Sequence, residues 1–259
     1  MIRTLITLSL ILGLSACQTL PQNNPKTIAE RYVLAVEDAS VVTPHEISKS
    51  LIPITTENDS LIWNDSKTKL KVVSWKSKKT YEKYIAPKSV TSPDENQMIW
   101  VTSAPQVQHF CRDYLQQNPD ASADDLDLRL KQYLGLNQNW NYDLFIELWI
   151  DPDYLFRPCV DPEINDSSCN LAFSDDQNKI VEVPGIANYK HFFQNLYFND
   201  FRYRQTDSPT PGVPWTGLGY TYDWGNPNTP IGASEFLITP KAPYTIATAT
   251  STLKYCQVP

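Results

Sequence analysis

The sequence predicts an α+β domain with a mostly antiparallel sheet, several helices packed on it and disulfide staples. Three observations carry that prediction. Amphipathic helical stretches and β-branched, aromatic runs are mixed without the strict alternation that a parallel sheet requires. Three strand-like runs follow one another at the C-terminal end, 220–224, 234–239 and 244–255. Four cysteines, Cys111, Cys159, Cys169 and Cys256, remain beyond one near the N-terminus.

Taken in order, Thr27-Ile28-Ala29-Glu30 is a capping box opening an amphipathic helix to about Ser40. Leu61–Trp63, the turn-like Asn64-Asp65-Ser66 and Leu70–Trp75 predict a hairpin, and Met98–Thr102 a further strand. A helix is expected over Pro105–Gln117. Ser122 caps another, Ala123–Leu134, which Gly135 terminates in the left-handed region. Tyr142–Ile150 reads as a central strand carrying Glu147, and Asn188–Phe198 as a short helix before the proline-rich loop Ser208–Pro214. No repeat or long linker divides the chain.

The composition narrows the function. In 259 residues, 41% apolar and 12% aromatic content exclude a disordered or collagen-like chain. A formal charge of −7 argues against a nucleic-acid partner. Neither GxxxxGK[ST] nor GxGxxG occurs, so no nucleotide cofactor is expected.

Residues 1–16 have the layout of a signal peptide. Arg3 supplies the positive region, and Leu5–Leu14 is an apolar core too short to span a bilayer as a helix. The following Leu14-Ser15-Ala16-Cys17 resembles the lipobox of bacterial lipoproteins. The resemblance covers about twenty residues. It implies cleavage before Cys17, acylation of that cysteine (palmitate included) and a membrane anchor. Gln18, where Asp commonly marks inner-membrane retention, implies the outer membrane, facing the periplasm. Residues 17–25 then form the lipidated cysteine and its tether, and 26–259 a single globular domain. The mature chain keeps 21 basic against 29 acidic side chains, a side-chain charge of −8.

An even cysteine count in an exported chain predicts two disulfides, Cys159–Cys169 and Cys111–Cys256 among three possible pairings. The rival reading, a nucleophilic Cys111 with His109, suffers because residues i and i+2 of a helix face apart. His45, His109 and His191 lack metal-binding spacing, and Ser234 lacks a nucleophile elbow. The acidic run with Asp151, Asp153, Asp161, Glu163 and Asp166 is read as a solvated loop with Arg157 pairing one carboxylate. Calcium at Asp151, Asp153, Asp161 and Glu163 is the rival, although the spacing is not that of an EF-hand.

Two functional readings follow. Five of eight glycines fall within 211–232, interleaved with Trp215, Tyr220, Tyr222 and Trp224. Those rings either belong to the core or form a stacking surface for an envelope protein or glycan. The leading expectation is a non-catalytic envelope lipoprotein binding through this segment. The alternative is a periplasmic carboxylate-dependent hydrolase of cell-wall glycan, with Glu147 as general acid and Asp223, Asp151 or Glu235 as partner.

Overall fold

The computed structural model describes residues 27–176, 180–201 and 212–257. Cys17, the tether and most of the proline-rich loop lie outside them. The strands are β1 (Leu70–Lys76), β2 (Ile99–Ser103), β3 (Leu144–Ile150), β4 (Leu155–Phe156), β5 (Tyr220–Tyr222), β6 (Ile231–Ile238) and β7 (Tyr244–Ser251). They form a curled antiparallel sheet in the order β4-β6-β2-β1-β3-β7, with β5 also paired to β6. The helices are α1 (Ile28–Ala39), α2 (Lys78–Thr80), α3 (Ala104–Gln117), α4 (Ala123–Tyr133), α5 (Tyr189–Asn195) and α6 (Thr252–Gln257). The fold class is therefore α+β, as predicted. Among the described residues no helix is long and apolar enough to cross a membrane.

Local chemistry explains the boundaries. The Thr27 hydroxyl accepts from Glu30 N at 3.1 Å while the Glu30 carboxylate accepts from Thr27 N at 2.8 Å, closing the capping box. Ser122 and Asp125 repeat that device at α4. The other end of α4 finishes in a Schellman motif: Gly135, at φ +68°, donates to Gln132 O, and Leu136 N donates to Lys131 O at 2.8 Å.

The period of two in the strands sends side chains to two cores. Leu70, Val72, Ile146, Leu148, Phe236 and Ile238 pack under the loop residues Ile54 and Leu61. Val73, Trp75, Phe145 and Ala233 point the other way, against α3, α4 and α6. A third cluster, with Phe156, Trp215 and Leu237, packs on α5.

Both expected disulfides are present, Cys111–Cys256 and Cys159–Cys169, with Cα atoms 5.4 and 6.2 Å apart. Cys111 is thus not a free nucleophile. Two expectations change. The C-terminal run is a strand only to Ser251, and Cys256 sits on α6, so the long bridge joins two helices. The hairpin before β1 contracts to one bridge, Trp63 with Leu70, although its turn forms, Asn64 Oδ1 accepting from Thr68 N and Lys69 N.

Arg157 pairs with Asp166, as the acidic run suggested, and is itself wholly buried. Its Nη2 also donates to Ile52 O and Asp166 O at 3.1 and 3.0 Å. Removing one partner of such a pair strands a charge in the interior. Asp166→Ala should lower stability by about 3 kcal/mol in urea unfolding, and an unchanged midpoint would show the pair to be dispensable. Gly219, at φ +76°, packs so closely that a Cβ would lie 2.5 Å from Arg157 Cδ.

Candidate functional site

The expected binding rings are buried. Tyr220 donates its hydroxyl to Glu46 O at 3.0 Å, Trp224 its indole N–H to Leu136 O at 3.2 Å, and Tyr222 its hydroxyl to the Asp38 carboxylate. Trp224 also meets Tyr32 of α1 edge to face, ring centroids 5.4 Å apart. Tyr222 and Trp224 thereby share a small core with α1. Of the two alternatives the core reading describes these four rings, and they do not form an open stacking surface. The cause is local: each polar tip named here finds a partner inside, so burial leaves it satisfied.

The segment nevertheless walls a cavity. Val213, Pro214, Trp215, Thr221 and Tyr222 line one side of an apolar space of about 240 Å³. The facing walls come from the sheet and the helical side and include Trp75, Trp100, Trp140 and Tyr142. Trp75 stacks on Tyr142 with ring centroids 4.9 Å apart, and Trp100 meets Trp215 edge to face at 6.3 Å. Trp140 is 42% exposed and provides an aromatic side chain reachable from solvent.

One acid belongs to this cavity. β6 alternates Ala233, Glu235 and Leu237 on the face carrying the helices, so Glu235 falls between two apolar clusters and is only 5% exposed. Its register partner is Thr102 on β2, and its Oε1 accepts the Trp215 indole N–H at 2.9 Å. Burial pushes the Glu235 carboxyl up to about 8, against the smaller opposite pull of the Trp215 hydrogen bond. Thr102 also lines the space, and its buried hydroxyl has no hydrogen-bond partner. Lys76 belongs to the wall as well, and burial pushes its ammonium below the usual value.

The carboxylates expected for catalysis are dispersed. Thr102 pairs with both Glu235 and Val73, and Val73 with Glu147, which places the two glutamates in one row three strand spacings apart. At about 4.8 Å per spacing that is roughly 14 Å along the sheet, too far for a glycosidase pair. Glu147 accepts from Thr248 Oγ1 at 2.7 Å across β7. Both oxygens of Asp223 are taken by Arg129, at 2.8 and 2.7 Å. Asp151 caps a short turn by accepting from Asp153 N at 3.0 Å.

The calcium candidates do not converge either. Asp161 accepts from Asn170 N and Nδ2, and Asp151 is occupied at its own turn. Among the described residues the only cluster with metal-ligand proximity is Cys159, Asp161 and Cys169, whose sulfurs are bonded to each other.

In the sequence alone Glu235 stands out only as a partner for Glu147. The available signal was an acid inside the apolar run Ala233–Ile238, on the strand face shared with Ala233 and Leu237. Compared with known proteins, the chain matches no family model, and no curated protein or solved structure shows significant similarity to it.

Proposed function

We propose that this chain is a non-catalytic, lipid-anchored binding protein of the bacterial envelope, which holds a small ligand in the aromatic cavity beneath the 212–232 segment. The observation that carries the reading is the conjunction of an apolar cavity with two buried polar groups lacking a full complement of partners. Glu235 has no basic counterpart among the ion pairs of the described residues, and Thr102 Oγ1 has no hydrogen-bond partner. Buried polar atoms are ordinarily satisfied, so such a pair marks a place for a ligand. A cavity near 150 Å³ admits benzene, so this one has room for roughly ten heavy atoms.

Binding is tested with a panel of charged and neutral compounds of that size, read by tryptophan emission. Leu136 is half-buried on the cavity wall, so Leu136→Trp should fill the space and abolish binding while the protein still melts cooperatively. No binding by any compound, or equal binding by that variant, contradicts the reading.

The anchor rests on the lipobox resemblance at Cys17, and its outer-membrane, periplasm-facing placement on Gln18 beside it. Metabolic labelling with palmitate should mark the wild type and not Cys17→Ala. Absent labelling, or labelling that survives the substitution, overturns the anchor.

A further inference from the structure

We propose that the ligand of this cavity is a small organic cation, an ammonium or quaternary ammonium group seated among the tryptophans with its charge toward Glu235. The proposal rests on the cavity being the binding site and adds the chemical class of its occupant. Four of the chain's seven tryptophans, Trp75, Trp100, Trp140 and Trp215, line the space with Tyr142 and Tyr222. Aromatic faces carry negative potential that attracts alkylammonium groups. Here Trp75 is already stacked on Tyr142 and Phe145, and Trp100 meets Trp215 edge to face, so the rings supply an apolar, weakly attracting lining and Glu235 the main attraction.

Charge points the same way. The four ion pairs of the described residues are Lys78–Glu82, Arg129–Asp223, Lys131–Asp127 and Arg157–Asp166, and Glu235 belongs to none. A buried acid without a cation either keeps its proton or meets a positive ligand. The other ionisable groups around the space are Lys76 on β1, Tyr142 before β3, and Tyr220 and Tyr222 on β5. Burial raises the three phenols above their ordinary value and lowers Lys76, so each is driven toward its neutral form. From α3 and the end of α4 the cavity receives only Val107 and Leu134. The acidic surplus of the chain adds a long-range attraction for cations.

Choline and its neutral carbon isostere, 3,3-dimethylbutan-1-ol, separate the possibilities. By calorimetry at pH 8.5, choline should bind at least tenfold more tightly than the isostere. Because the cation favours ionised Glu235, binding below pH 8 releases a proton. Affinity should therefore fall about tenfold from pH 7 to pH 6 and level off above pH 8. Glu235→Gln should abolish the preference. Should that variant fold poorly, Trp140→Ala at the exposed end should still weaken choline about three- to tenfold. Equal or tighter binding of the isostere overturns the cation and leaves the cavity reading standing. Choline affinity that is independent of pH and unchanged in Glu235→Gln overturns it as well. Binding of neither compound at any pH, together with silence across the wider panel, removes the cavity reading itself.

Discussion

Replacing Cys111 and Cys256 by serine is expected to lower the unfolding free energy by about 5 kcal/mol. The bridge spans 145 residues of sequence, so its loss returns most of the chain's closure entropy to the unfolded ensemble. Its native surroundings sharpen the effect. Both sulfurs lie in the core where α3 and α6 pack against the sheet, and both residues are fully buried, so serine hydroxyls would enter an apolar site. The short bridge Cys159–Cys169, ten residues apart, should cost about 3 kcal/mol. Urea unfolding of the two double-serine variants checks both size and order. Equal losses would show that strain or residual structure, and not loop length, governs the difference.

Glu235 is expected to make the protein less stable as pH rises. Its carboxyl titrates near 8 in the folded state and near 4.5 when unfolded. Between those values the unfolded chain carries the charge and the folded chain the proton. Folding then takes up a proton, and stability falls with pH. The loss is absent below about pH 4.5, accumulates through the interval and levels off above about pH 8. Its full size is on the order of 5 kcal/mol. Other titrating groups contribute to the measured curve, but they are common to wild type and Glu235→Gln. Subtracting the two unfolding curves measured from pH 4.5 to 8.5 isolates this acid. The variant should gain on the wild type progressively toward high pH, and a flat difference would contradict the burial of an unpaired acid.

Much of the fold was legible because short-range chemistry decided it. The Thr27–Glu30 box, the Ser122 cap and Gly135 mark helix ends through groups a few residues apart. The β-branched and aromatic content of β1 and β3 likewise marks them as strands from their own residues. Where distant contacts decide, local pattern misled. Residues 252–257 continue a threonine-rich strand in sequence, yet they turn into α6. There Thr252 N donates to Asp143 O, Tyr255 donates its hydroxyl to Ala104 O, and Cys256 is bonded to Cys111.

The site was legible only in part for the same reason. The 212–232 segment was marked by its own glycines and rings, and it does border the cavity. Trp75, Trp100 and Trp140, from three separate stretches of chain, converge on it only when β1, β2 and the segment before β3 come together. The polar tips of Tyr220 and Trp224 looked available for ligands because their acceptors, Glu46 O and Leu136 O, are backbone atoms far away in sequence.

The central claim is that Glu235 stands without a positive partner in a cavity prepared for one. The most direct measurement is a pH titration of the Glu235 side-chain carboxyl by carbon-13 NMR, with and without choline. The account predicts a midpoint near 8 in the free protein, moving to lower pH when choline is bound. A free-protein midpoint at the ordinary glutamate value, unmoved by choline, would contradict it.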